Sequence, residues 1–173
     1  MTTALLCDVH ATPDGCVLTI EDAGAHRTPD GLGVYLHTDR NTDTDIDVTE
    51  PQRALRIRTM NVHECTTLGR RVRVRVLTGI KPHHRLGELA FNGHLDISSG
   101  VLAIGDTRSP DRHLLSGPPS ILRVSVYTSH TVEFIDDYPV SGPSDVTVLI
   151  HGDPHFSHAV TDIPGPWWKR RRR

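Results

Sequence analysis

Aromatic side chains are scarce in this chain: two Trp, three Tyr and three Phe among 173 residues. A sheet face built for sequence-tolerant binding of single-stranded nucleic acid needs stacking platforms between its charges, so that class is disfavoured from the start. Cysteine is also sparse. Cys7, Cys16 and Cys65 are odd in number and form no C-x-x-C pair, which speaks against a disulfide framework and a cysteine-rich zinc module and sets the expectation of a reduced, cytoplasmic protein. No apolar run approaches the ~18 residues of a membrane-spanning helix. The opening residues lack a basic segment and their apolar run breaks at Asp8, so they do not read as a signal peptide.

Catalytic signatures are missing as well. Ser141-Gly142-Pro143-Ser144 lacks the spacing of a nucleophile elbow. Gly31-Leu32-Gly33 lacks the third glycine and the following helix of a dinucleotide fingerprint, and there is no Walker loop. Cys65 follows His63-Glu64, but neighbours on a strand point to opposite faces, so it reads as a buried, inert thiol. Asp136-Asp137 precede Tyr138-Pro139 in a turn.

What the chain does contain is short runs of Val, Ile, Leu and Thr between turn signals, with no sustained helical period. Strands are expected at Ala4–Val9, Cys16–Glu21, Gly33–His37, Ala54–Met60, Arg71–Thr78, Gly93–Ile97, Val101–Gly105, Ile121–Thr128, Val132–Ile135 and Asp145–His151. Pro13-Asp14-Gly15, Pro29-Asp30-Gly31, Ser98-Ser99-Gly100 and Ser141-Gly142-Pro143 supply the fixed and positive φ angles of the turns between them. The expected fold is all-β, an antiparallel β-sandwich or barrel-like body with minimal helix, as one domain over residues 1–163. An internal echo suggests two similar β units, about 1–80 and 88–155. His10 to Asp22 reads HATPDGCVLTIED and His94 to Asp106 reads HLDISSGVLAIGD, so His, Val-Leu, Ile and Asp coincide 84 residues apart.

The run Ser99-Gly100-Val101-Leu102-Ala103-Ile104-Gly105-Asp106, then Gly117-Pro118-Pro119 and Leu122-Arg123-Val124-Ser125-Val126-Tyr127, resembles small bacterial β-sandwich proteins of the competence-protein-J type. It covers about a quarter of the chain and departs from the pattern at Ser120, where glycine is expected. The resemblance implies a β-sandwich and, since the competence protein inhibits a nuclease, a role in binding a protein partner.

Charge is strongly polarised. Residues 1–52 carry 2 basic against 10 acidic side chains, residues 53–75 carry 7 against 1, residues 76–168 carry 5 against 10, and the last five residues are all basic. In Arg71-Val72-Arg73-Val74-Arg75-Val76 strict alternation places the valines on one face and the arginines on the other, and Leu55-Arg56-Ile57-Arg58 repeats the pattern. If these two strands pair, Arg56, Arg58, Arg71, Arg73 and Arg75 share one face and need neutralising. Either Asp39, Asp43, Asp45, Asp47 and Glu50 fold across it, or an external anion does, an acidic protein or phosphate. Residues 164–173 read as a flexible basic tail whose Lys169 and Arg170, after Trp167-Trp168, suit nucleic acid or an anionic surface.

Twelve histidines culminate in His151-Gly152-Asp153-Pro154-His155-Phe156-Ser157-His158. His151, Asp153, His155 and His158 are candidate ligands for a divalent metal, and His63, His83, His84 and His94 could add others if the fold gathers them. The expected function is a non-catalytic, inhibitor- or immunity-like protein that binds a protein partner through charged sheet faces. The alternatives are a metal-dependent hydrolase using the His/Asp cluster, and a phage- or plasmid-borne structural or accessory protein.

Overall fold

A computed structural model describes residues 3–13, 16–24, 34–36, 50–59, 71–79, 86–106, 112–135, 137–152 and 155–158. The described residues contain eleven strands and no helix: β1 Ala4–Ala11, β2 Val17–Asp22, β3 Val34–Leu36, β4 Ala54–Arg58, β5 Val72–Gly79, β6 Glu88–Ile97, β7 Val101–Gly105, β8 His113–Ser116, β9 Ser120–Ile135, β10 Tyr138–His151 and β11 Ser157–His158. Hence no described helix is long and apolar enough to cross a membrane. The protein is all-β. β8 and β11 were not anticipated, because four and two residues are too short to display an alternation. The segments Ile121–Thr128 and Val132–Ile135, expected as two strands, belong to one, since Ser129, His130 and Thr131 lack the glycine or proline that would break it.

The strands form a five-stranded sheet in the order β1-β5-β10-β9-β6 and a six-stranded sheet in the order β11-β8-β7-β2-β4-β3. Alternate residues of both sheets meet in one apolar cluster. Val72, Val74, Val76, Val146, Val148 and Ile150 from the first sheet join Leu18, Ile20, Leu55, Ile57, Leu102 and Ile104 from the second, all fully buried. Aliphatic side chains dominate it, and Phe91 and Phe156 are its aromatic members. β-Branched residues suit this pleated, half-buried setting because their χ1 is already restricted.

The pairing has a two-fold pattern. β1 and β6 share the same order of exposed and buried positions 84 residues apart, and so do β2 and β7. Both outer strands of the first sheet carry a register shift at the equivalent place, between Leu5 and Cys7 in β1 and between Leu89 and Phe91 in β6. β1 pairs with Val72–Thr78 as β6 pairs with Leu122–Thr128, so β5 corresponds to β9 at a spacing of 50. Ile20 pairs with Ile104, its own counterpart, and Val148 is the common partner of Val76 and Val126, which are counterparts of each other. The two-fold therefore passes through the Ile20–Ile104 pair in one sheet and Val148 in the other.

This arrangement accounts for a departure from the antiparallel expectation. β5 and β9 run in opposite directions, so β10, lying between them, is antiparallel to β9 and necessarily parallel to β5. β3 is likewise parallel to β4.

Two-fold counterparts also share a tight turn. Cys16 (φ 63°) and Gly100 (φ 73°) are counterparts in the left-handed region, and their carbonyls accept from Thr59 N–H and Gly117 N–H, both at 2.8 Å. Cys16 is disulfide-bonded, whereas Cys7 is a free, buried thiol and Cys65 lies outside the described residues. The expectation of reduced cysteines is thus corrected. Bridging depends on proximity in space, which neither an odd count nor the lack of C-x-x-C reports.

Candidate functional site

The two arginine-striped strands do not pair. β4 lies in the six-stranded sheet between β2 and β3, and β5 lies in the five-stranded sheet between β1 and β10. The five-arginine face expected from a β4–β5 pair is therefore corrected. Each strand turns its apolar side to the shared core, Leu55 and Ile57 from β4 and the three valines from β5, so their arginines face outward from different sheets.

On β5 the charges are met internally by residues from both neighbouring strands. Asp8 of β1 accepts from Arg73 Nε at 2.9 Å and Nη2 at 2.6 Å, a bidentate pair. Asp145 of β10 accepts from Arg75 Nη2 at 2.7 Å. The Arg73 hydrogen bond holds the Asp8 carboxyl below its ordinary range, and Asp8 in turn raises Arg73. Of the acidic stretch expected to do this, Asp39, Asp43, Asp45 and Asp47 lie outside the described residues, and Glu50 is exposed. Arg71, just ahead of β5, is exposed.

The positions that correspond across the two-fold pattern carry different chemistry. Across the two-fold Asn92 corresponds to Asp8, Arg123 to Arg73, Ser125 to Arg75 and, within the shared strand β10, His151 to Asp145. The His151–Ser125 separation, Nε2 to Oγ, is 2.8 Å, and Ser125 Oγ donates to Asn92 Oδ1 at 3.2 Å. With its proton directed to Asn92, Ser125 accepts from His151 Nε2–H, which leaves the imidazole a donor here rather than a base. Burial, and then the nearby Arg123 guanidinium, lower the His151 pKa below its ordinary value. Arg123 is exposed, and His94 lies directly opposite it on β6. Between the two polar regions, Leu86 packs on Tyr127 and Leu149 with Leu77 alongside, closing the middle of this outer face with a small apolar cluster.

On the six-stranded sheet, Arg58 is exposed and Arg56 is partly buried. Arg112 Nη2 lies 2.5 Å from Glu21 Oε1. Burial raises the Glu21 carboxyl, with Arg112 and then Arg56 opposing that rise.

Three of the four histidine-cluster residues are described, and they fall on different elements. His151 closes β10 of the first sheet, His155 is exposed, and His158 belongs to β11, which pairs with β8 at the margin of the second sheet. Asp153 lies outside the described residues, as do His63, His83, His84, Lys169 and Arg170. Among the described residues no three His, Cys, Asp or Glu side chains come together as a metal-holding group.

Sequence reasoning missed Asp8, Asp145, Arg112 and Glu21, whose pairings link residues 65 to 91 positions apart and leave no local trace. Arg123, Asn92, Ser125 and His94 did have a signal. Leu122-Arg123-Val124-Ser125-Val126-Tyr127-Thr128 reads in parallel with Val72-Arg73-Val74-Arg75-Val76-Leu77-Thr78, and the echo 84 residues apart aligns their partners. Comparison of the chain with protein-family models, with curated proteins and with solved structures finds no match.

Proposed function

We propose that the protein works by binding an acidic protein partner, in the manner of an inhibitor or immunity protein, through the five-stranded sheet and the ribbon that extends from it. The observation that carries this reading is Phe134. It is 75% exposed on a stretch where β9 and β10 continue as a two-stranded ribbon, from His130 opposite Pro143 to Ile135 opposite Tyr138. Among the described residues no third strand lies alongside the ribbon. An exposed phenyl ring on a projecting ribbon, with Arg71 at the end of the sheet from which it leaves, combines the aromatic and arginine side chains enriched at interface hot spots. The resemblance to the competence-protein-J type supports the same reading.

The reading takes residues 1–163 as one domain of two duplicated units, with the basic tail 164–173 as an accessory contact. It places the protein where disulfides persist, which the Cys16 bridge supports over the cytoplasm.

The test is affinity capture with the wild type and with Phe134→Ala and Arg71→Glu variants. The expected outcome is a stoichiometric partner recovered by the wild type and lost from both variants. Identical recovery by all three proteins sinks the proposal.

A further inference from the structure

The two-fold pattern allows each polar position on the outer face of the five-stranded sheet to be compared with its counterpart. In the first unit, Arg73 reaches across a diagonal to Asp8, although His10 is the residue directly opposite it. In the second unit Arg123 has His94 directly opposite, and the diagonal position holds Asn92, a neutral amide of the same shape as aspartate. The second carboxylate is gone too, with His151 in place of Asp145.

The other diagonal neighbour of Arg123 is Asp96, and that carboxylate is engaged by Ser98 Oγ at 2.5 Å and by Arg53 at 3.7 Å. Arg123 therefore stands on a solvent face with two imidazoles beside it and, among the described residues, without the counter-ion that Arg73 possesses. Asn92 uses Oδ1 to accept from Ser125, and its Nδ2 group is the donor that remains to the amide among the described residues.

We propose that Arg123, His94 and the Nδ2 group of Asn92 form a binding site for a single oxyanion, which takes the place that the Asp8 carboxylate fills in the first unit. The guanidinium fork suits a bidentate oxyanion, as the Arg73–Asp8 pair demonstrates on the same sheet. The His151–Ser125–Asn92 chain of hydrogen bonds engages the amide through Oδ1, which leaves its Nδ2 side as the donor for the anion. The inference is independent of the protein-partner reading, since Phe134 and Arg71 lie at the opposite end of the sheet.

The experiment is an NMR titration of the full chain with inorganic phosphate, and separately with acetate, at ionic strength held constant with chloride. The readouts are the Arg123 side-chain and the His94 and His151 ring signals. Saturable shifts with phosphate assign a phosphate-class ligand, and saturable shifts with acetate alone assign a carboxylate. In either case Asn92→Asp, which restores the counter-ion of the first unit in an isosteric side chain, weakens binding at least about tenfold. Arg123→Gln weakens it similarly, and Arg73→Gln leaves it unchanged. Shifts that fail to saturate with either anion, or undiminished affinity in Asn92→Asp, overturn the proposal.

Discussion

Asp8 lies directly across the β1–β5 ladder from Arg75, yet its carboxylate holds Arg73, one diagonal step away. Asp145 makes the converse choice from β10: it stands opposite Arg73 and bonds Arg75. Long arginine side chains reach diagonal neighbours at ~7–8 Å as readily as direct ones. The crossing gives Arg73 and Arg75, two like charges on one strand, a carboxylate each, so that part of the stripe is matched in the fold.

For Asp8 the sign of the acid dependence follows from its lowered pKa. A carboxyl depressed in the folded state contributes stability that is fully present above its unfolded value of about 4, and that is lost as pH falls through the folded value. Asp8→Asn is therefore expected to lower the urea midpoint slightly at pH 7. The difference from wild type disappears in strong acid. The effect is small because both partners are largely solvated. A gap that persists unchanged at low pH contradicts the assignment.

Glu21 presents the opposite case. It is 7% exposed, and burial raises its carboxyl against the pull of Arg112. Arg112→Met strands a buried carboxylate and is expected to cost about 1–3 kcal/mol at pH 8. The loss of Arg112 raises Glu21 further, so the penalty, present above the folded pKa, shrinks as pH falls through it. Chemical denaturation at pH 8 and pH 5 checks this, with the smaller difference expected at pH 5. Adding Glu21→Gln is expected to recover most of the loss at pH 8.

The Cys7 thiol is pushed up to about 11, first by burial and then by the Asp8 charge. Reactivity follows the thiolate, so Cys7 resists iodoacetamide at pH 8 in the folded protein. Mass spectrometry is expected to find no adduct on native protein, one adduct after denaturation without reductant, and three after reduction. Two or more adducts without reductant would show the Cys16 bridge to be absent.

Gly100 has φ 73°, and a Cβ built there lies 2.5 Å from the Gly117 carbonyl oxygen. Gly100→Ala is expected to destabilise by about 1–3 kcal/mol through left-handed strain and that backbone clash together. Its counterpart Cys16 accepts a similar φ while held in the disulfide. A thermal midpoint equal to wild type would refute the argument.

The all-β class was legible because side-chain alternation is local: the valines of β5 and the Leu55 and Ile57 of β4 declare their buried faces without reference to any other strand. The echo that aligns His10 with His94 and Asp22 with Asp106 is matched by the common burial order of β1 and β6 and of β2 and β7. The sites were less legible. The arginine stripe was visible, but the residue that stands apart from its twin, Arg123, becomes distinctive only when Asn92 is seen to occupy the place of Asp8.

By itself, then, the sequence determined which residues of the clearest strands face inward and the turn at Ser98-Ser99-Gly100, because these depend on a two-residue period and on local φ preferences; the turn expected at Ser141-Gly142-Pro143 is instead part of β10, where pairing with Val132, Thr131 and His130 carries the strand through. Tertiary structure alone decided that β4 and β5 part into different sheets, that β10 enters between β5 and β9, and that Asp8 and Asp145 cross to their arginines. Those choices rest on burying both apolar faces in one core and on charges brought together from 65 and 70 residues away, terms that no local window of the chain contains.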